Sequence, residues 1–142
     1  FFCQCVGYAI RCMRNITQDF LYISSNVRAI IVHNNDHLQY KLTSCGQLPL
    51  LYRLDISRNK IKHLDMYISF YFPALNELDM SFNELVKINH ATFKGLVLLK
   101  ILRLSGNPIT YILKYNFISQ YTLERLWLNK MKIVIIQQYA FK

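Results

Sequence analysis

The strongest constraint in the sequence is an asparagine that recurs every 24 residues, at Asn35, Asn59, Asn83 and Asn107. Aliphatic residues keep the same phase on both sides of each asparagine. In the block around Asn59 they are Leu51, Leu54, Ile56, Ile61 and Leu64. A period of about 20 to 30 residues is typical of chains that stack one structural unit, because a single unit cannot bury its own apolar edge. The period therefore predicts a solenoid.

In this frame, residues 27–142 divide into five repeats after an N-terminal segment of residues 1–26. The repeats are 27–50, 51–74, 75–98, 99–122 and 123–142. The first is weaker because His37 stands where an aliphatic residue is expected, and the fifth has Met131 at the asparagine position. We expect each asparagine amide to hydrogen-bond backbone groups at a buried corner. The fifth repeat, which is truncated at Lys142, is therefore predicted to have a looser corner and an exposed core edge.

A second column of the same period lies ten residues after each asparagine position. It reads Cys45, Ser69, Phe93, Phe117 and Phe141. Three phenylalanines in register predict an aromatic column inside the solenoid. Cys45 shares that column and is interpreted as a buried free thiol that packs as a small hydrophobe.

Together these columns form the leucine-rich-repeat pattern. We predict an α/β-type solenoid, a leucine-rich-repeat arc, with short parallel strands such as Arg53 to Ile56 on its concave side. The convex side is expected to be irregular or short-helical. The in-phase aliphatic and aromatic residues then form the core, and they specify the fold rather than the function.

Three cysteines, Cys3, Cys5 and Cys12, precede the repeats. Their spacing resembles that of N-terminal caps in secreted leucine-rich-repeat proteins. The resemblance implies a disulfide between Cys3 and Cys12 that seals the open end of the solenoid, and a disulfide from Cys5 to a cysteine upstream of residue 1. A zinc site is the alternative, but three thiols with no histidine before His33 give an incomplete tetrahedral ligand set. No metal site is therefore predicted.

The triplet Asn15-Ile16-Thr17 lies beside Cys12 and predicts an N-glycosylation site at Asn15. Disulfides and glycans both indicate the secretory route. The chain is therefore expected on the extracellular face of the plasma membrane or, alternatively, to be secreted. No apolar run approaches the roughly 18 residues of a membrane-spanning helix, so that a membrane would be reached only through further segments downstream.

Seventeen Lys and Arg residues against eight Asp and Glu give a net charge of +9. The basic residues are scattered, whereas binding to phosphates requires cations that converge on one path. A solvated surface is therefore favoured over a nucleic-acid-binding stripe. The histidines, which show no metal-ligand spacing, are interpreted as surface or turn residues; they are His33, His37, His63 and His90. Motifs for nucleophilic catalysis or phosphate binding are also missing, so we predict a binding protein that needs no cofactor and is not an enzyme.

The predicted concave face carries the candidate binding residues. Its central column reads Ile31, Asp55, Asp79, Arg103 and Trp127. An acidic centre of Asp55, Glu77 and Asp79, with Phe82 and Trp127 nearby, would suit a ligand that bears cations and an apolar anchor. The alternative is that nearby arginines neutralise these acids locally; they are Arg53, Arg58 and Arg103. The sequence leaves both interpretations open.

The two ends of the chain resemble the relaxin-family peptide hormone receptors, which are leucine-rich-repeat-containing G-protein-coupled receptors. The likeness rests on the N-terminal stretches 3–12 and 24–27, and on Leu102 to Ile109 followed by a corner with Met131 instead of asparagine. It implies an ectodomain that captures a basic insulin-like peptide. Its expected ligand-binding residues are Asp55, Glu77, Asp79, Phe82, Arg103 and Trp127. A structural or adhesive protein, or a Toll-like receptor, is the alternative.

Overall fold

A computed structural model of the chain describes residues 3–13, 23–35, 46–64 and 68–141. Its strands are β1 (Cys3–Val6), β2 (Ala9–Met13), β3 (Ala29–His33), β4 (Arg53–Asp55), β5 (Glu77–Asp79), β6 (Ile101–Arg103), β7 (Tyr111–Ile112), β8 (Arg125–Trp127) and β9 (Ile135–Ile136). A short helix, α1 (Ile68–Tyr71), lies between β4 and β5. The predictions for Asn15, His37 and Cys45 lie outside the described residues.

Strands β1 to β6 and β8 form one sheet in sequence order. The β1–β2 pair is antiparallel, and every later pair is parallel. Leu54 of β4 lies opposite Leu78 of β5, which lies opposite Leu102 of β6, so that one strand advances to the next by 24 residues. This register is the one that the sequence period predicts. Strand β4 ends at Asp55, one residue earlier than expected.

The core lies directly behind this sheet. Leu54, Leu78 and Leu102 are completely buried, whereas the equivalent Leu126 in the fifth repeat is only partly buried. The other partly buried residues of the fifth repeat that pack against the core are Leu123, Leu128, Met131 and Ile133. The apolar residues of the last repeat are therefore less completely buried than their equivalents in the preceding repeats.

The asparagine column connects neighbouring repeats. The side-chain amide of Asn59 donates hydrogen bonds to the carbonyl oxygens of Val32 and Ile56, both at 2.8 Å. Asn83 donates in the same way to Ile56 and Met80, both at 2.9 Å. Asn107 continues the series with bonds to Met80 and Leu104. Each amide thus links its own corner to the preceding one, and consecutive amides share a carbonyl. Met131 has no group that can extend this ladder.

The phenylalanine column forms a stack behind the core. The ring centroids of Phe93 and Phe117 are 6.0 Å apart with an interplanar angle of 8°. Those of Phe117 and Phe141 are 5.4 Å apart at 7°. On the same return side of the repeats, β7 and β9 pair in parallel as a second, two-stranded sheet. None of the helices in the described ranges is long and apolar enough to cross a membrane.

The N-terminal hairpin of β1 and β2 extends the main sheet, because β2 pairs in parallel with β3. Cys12 is 2% exposed and forms a disulfide bond. That bond excludes Cys12 as a zinc thiolate. The backbone of Cys3 lies opposite Cys12 in the β1–β2 register, and the pairing of these two cysteines stays a prediction, as does the pairing of Cys5.

Candidate functional site

Outward side chains of β3 to β6 and β8 form the concave face, and the sheet register arranges them in two columns. The first column contains Ile31, Asp55, Asp79, Arg103 and Trp127, the set expected from the sequence. The second contains Ala29, Arg53, Glu77, Ile101 and Arg125. Adjacent members of a column are separated by one strand spacing, about 4.8 Å. Charged side chains of opposite sign therefore lie within reach of one another.

Asp55 does not project freely into solvent from the concave face, because only 8% of the residue is exposed. Its Oδ1 accepts hydrogen bonds from the hydroxyl of Ser57 at 2.8 Å and from the Ser57 backbone N–H at 3.2 Å. Nε2 of His33 lies 3.0 Å from the same oxygen. An aspartate commonly bonds backbone and side-chain donors two residues downstream. Asp55 thus has its partners within the chain.

His33 is a residue whose part in the site the sequence analysis missed. It ends β3 and is partly buried against Asp55 rather than lying free on the surface or in a turn. The repeat period could have indicated this role. His33 precedes Ser57 by 24 residues, and each follows a concave-face residue by two positions, so that the two occupy equivalent places in adjacent repeats.

Burial and hydrogen bonding have opposite effects on the pKa of Asp55. Burial by itself raises the pKa of this carboxyl, but the hydrogen bonds from His33 and Ser57, together with the charge of His33, outweigh it. The pKa of Asp55 is therefore below its usual value. Arg53, whose Nη2 is 3.8 Å from Oδ2, also faces the carboxylate.

This lowered pKa predicts a defined acid sensitivity. A depressed carboxyl pKa contributes stability above the unfolded-state pKa of about 3.9, and that contribution is lost as pH falls through the folded-state pKa. We expect the free energy of unfolding to fall more steeply below about pH 4 in the wild type than in Asp55→Asn. Urea denaturation across a pH series measures both slopes, and carboxylates common to the two proteins cancel. Parallel pH profiles would contradict the assignment.

Glu77 and Asp79 differ in how far the chain neutralises them. Oε2 of Glu77 is 3.9 Å from Nη1 of Arg53, and its Oε1 accepts a hydrogen bond from the Tyr52 hydroxyl at 3.4 Å. Asp79 accepts the backbone N–H of Ser81 at 2.9 Å. Among the described residues, Asp79 forms no ion pair. Asp79 is therefore the carboxylate of the predicted acidic centre that keeps its charge available.

The arginines take two different roles. Arg53 lies between Asp55 and Glu77, as the local-neutralisation alternative requires. Arg103 instead stacks over the Trp127 ring, with its guanidinium carbon 4.5 Å from the ring centroid. Arg58 stacks in the same way over Phe82 at 4.8 Å. Such cation–π contacts compete with surface ion pairs because both contribute on the order of 1 kcal/mol. Local neutralisation therefore holds for Arg53 alone among these arginines.

Phe82 lies at the corner that follows β5, beside the concave face. Its ring packs over Gly106, where an added Cβ would lie 2.5 Å from a ring carbon. Nζ of Lys130 lies 5.5 Å from the centroid of the same ring. The ring is 38% exposed and is flanked by the cations of Arg58 and Lys130. Gly106 and Lys130 were not anticipated as part of this arrangement.

Comparison with known proteins supports the architecture. Residues 49–109 match a family model described as Leucine rich repeat. The chain also superposes on TLR13 from the crystal structure of a TLR13–ssRNA13 complex, with a TM-score of 0.73 and 25% identity over 82% of this chain. The fold is a leucine-rich-repeat arc. Human 5T4, also called Wnt-activated inhibitory factor 1 or trophoblast glycoprotein, shares it with a TM-score of 0.63 and 17% identity over 92% of this chain.

The arc spans 16% of the TLR13 chain and 62% of the 5T4 chain. No match to a curated protein sequence was found. Within the leucine-rich-repeat arc, five predicted site residues lie on the concave face and Phe82 lies at its edge. In the part of the chain that the structure describes, no three His, Cys, Asp or Glu side chains are grouped to hold a metal ion.

Proposed function

We propose that this leucine-rich-repeat arc is the ligand-binding part of an extracellular receptor and that it captures a peptide or protein on its concave face. The proposal rests on three residues of adjacent strands. Asp79 has no ion pair among the described residues, and beside it Arg103 stacks over Trp127. Arginine and tryptophan are enriched among the residues that dominate protein-binding energies. Unpaired charges of both signs beside an aromatic ring are suited to binding the surface of a peptide or protein.

The finer proposal is an ectodomain of a relaxin-type, G-protein-coupled hormone receptor that binds a basic insulin-like peptide. The resemblance of the two chain ends to that family supports it. Asp79 is the foremost candidate to meet an arginine of the hormone, with Glu77 beside it. Asp55 would act mainly by holding the local structure, because its Oδ1 already bonds His33 and Ser57 and its Oδ2 faces Arg53. Trp127 and Phe82 would contact an apolar residue of the peptide.

A Toll-like receptor is the second candidate, favoured by the similarity to TLR13. The TLR13 structure is a complex with ssRNA13. An RNA ligand would be met by cations rather than by carboxylates. The two candidates therefore make opposite demands on Asp79, because a carboxylate attracts a basic peptide and repels a phosphate backbone.

Charge reversal at Asp79 tests the proposal. We expect Asp79→Lys in the secreted chain to weaken binding of a relaxin-type insulin-like peptide by more than about thirtyfold, since a close charge pair is replaced by repulsion. Isothermal titration calorimetry measures the affinity. Glu84→Lys is the matched control, because it changes the charge by the same amount at a position off the concave face. The Glu84 carboxylate is 4.0 Å from Lys62.

Equal losses in the two variants would indicate nonspecific attraction and contradict the site. Unchanged affinity in Asp79→Lys would contradict it as well. If the wild type binds no relaxin-type peptide and Asp79→Lys strengthens the binding of single-stranded RNA, the second candidate is the better description.

A further inference from the structure

Asp79 and Arg103 are direct neighbours that do not pair. They face each other in the β5–β6 register, about 4.8 Å apart by strand spacing. The Arg103 side chain is long enough to form an ion pair with Asp79. Its guanidinium instead lies over the ring of Trp127, on the strand to the other side of Arg103. Two opposite charges thus stand side by side on the concave face, and each is left open to a ligand.

Stacking leaves the hydrogen-bonding edge of Arg103 free. A guanidinium is planar and carries five N–H donors around its rim, so that a ring against its flat face blocks none of them. Ring-backed arginines are suited to carboxylates because the fixed plane presents two parallel donors to the two oxygens. The Trp127 ring therefore occupies one side of the Arg103 guanidinium, and N–H donors remain that can bind a carboxylate.

A second arginine, Arg125, also favours the binding of an anion beside Arg103. Arg125 is exposed, lies on the same strand as Trp127, and forms no ion pair among the described residues. Glu124, the adjacent acid, is engaged by Lys100 at 2.8 Å. Among the described residues, neither Arg103 nor Arg125 therefore forms an ion pair, although Asp79 lies one strand spacing from Arg103.

We infer that Arg103, backed by Trp127 and supported by Arg125, forms a carboxylate-binding subsite beside the cation-binding Asp79. The inference rests on the proposed function and narrows its ligand class. The ligand presents a basic and an acidic group within roughly 10 Å of each other, the distance of two strand spacings. A peptide segment with Arg or Lys beside Asp or Glu has this character.

Trp127 is the only tryptophan in the sequence, so that its fluorescence reports on this subsite alone. The probes are a hexapeptide of alternating Arg and Glu, hexaglutamate, and a single-stranded RNA hexamer. We expect the alternating peptide to change Trp127 fluorescence saturably. Arg103→Gln should weaken that binding at least about tenfold, because a charge-assisted hydrogen-bond pair is lost.

Two further variants control for charge and for folding. Arg103→Lys keeps the charge without the planar fork and should lose several-fold in affinity. Arg28→Gln removes a comparable ring-stacked cation, whose guanidinium carbon lies 5.3 Å from the Tyr8 ring centroid near the other end of the arc. It should leave the affinity within about twofold, since remote charges are screened over a Debye length. Circular dichroism confirms the fold of each variant.

The outcomes separate this subsite from the proposed function. Asp79→Asn should weaken the alternating peptide but leave hexaglutamate bound as tightly or more tightly, whereas Arg103→Gln should weaken both. The inference is overturned if Arg103→Gln binds the alternating peptide as the wild type does, or if the wild type shows no saturable change. The inference is also overturned if the RNA hexamer binds in a way that depends on Arg103 while the alternating peptide and hexaglutamate do not bind. A failure confined to the insulin-like peptide bears on the proposed function only.

Discussion

Asn83→Ala is expected to lower the free energy of unfolding by about 3 kcal/mol, because it interrupts the asparagine ladder at its centre. The amide of Asn83 donates to the carbonyl oxygens of Ile56 and Met80. Its Oδ1 accepts the backbone N–H of Ile61 at 3.1 Å. The two carbonyls keep a bond from the neighbouring asparagines, but the Ile61 N–H loses its side-chain partner at a buried position. Urea denaturation with a common slope measures the change.

Asn76→Ala is the matched control for this prediction. Asn76 also donates to a backbone carbonyl, that of Leu98 at 3.2 Å, but the bond is exposed to solvent. We expect a change within about 0.5 kcal/mol for this variant. Equal destabilisation by both variants would mean that burial of the ladder does not determine its contribution.

Phe93→Ala is expected to destabilise the chain by about 3 to 4 kcal/mol, the usual cost of removing a completely buried aromatic side chain. Phe93 has no exposed surface and stacks on Phe117. Phe141→Ala is the control from the same column, because Phe141 stacks on Phe117 equally well but is 54% exposed. Its loss should cost about 1 kcal/mol. If the two substitutions cost the same, stacking rather than burial holds the column together.

The repeat period predicted those parts of the structure that depend on regular spacing. A residue type that recurs every 24 positions occupies the same place in each repeat, so that the sheet register, the asparagine ladder and the phenylalanine stack follow directly. The N-terminal segment lies outside the period. Its two strands, and the parallel pairing of β2 with β3, were therefore not predicted.

The repeat spacing predicted that Asp55, Asp79 and Arg103 lie in one column of the concave face, but it left the partners of these side chains open. Arg103 has Asp79 on one side and Trp127 on the other, and its preference depends on a difference of about 1 kcal/mol between an ion pair and a stacked ring. The partnership of His33 with Asp55 crosses from one repeat to the next. Sequence spacing gives the location of each Cα but not which of several reachable groups a flexible side chain selects.

The corner after each concave strand has the same left-handed backbone in every repeat. The residues there are Asn34, Arg58, Phe82, Gly106 and Lys130, with φ between 54° and 72°. Backbone hydrogen bonds to the next repeat hold the first four of them, for example from Phe82 N–H to the Ser105 carbonyl at 2.7 Å. Because this bonding offsets the strain of a left-handed non-glycine residue, the corner accepts side chains that share neither size nor charge. The side chains at this edge of the arc can therefore change, and with them the ligand that the edge binds, while the backbone of the repeats stays the same.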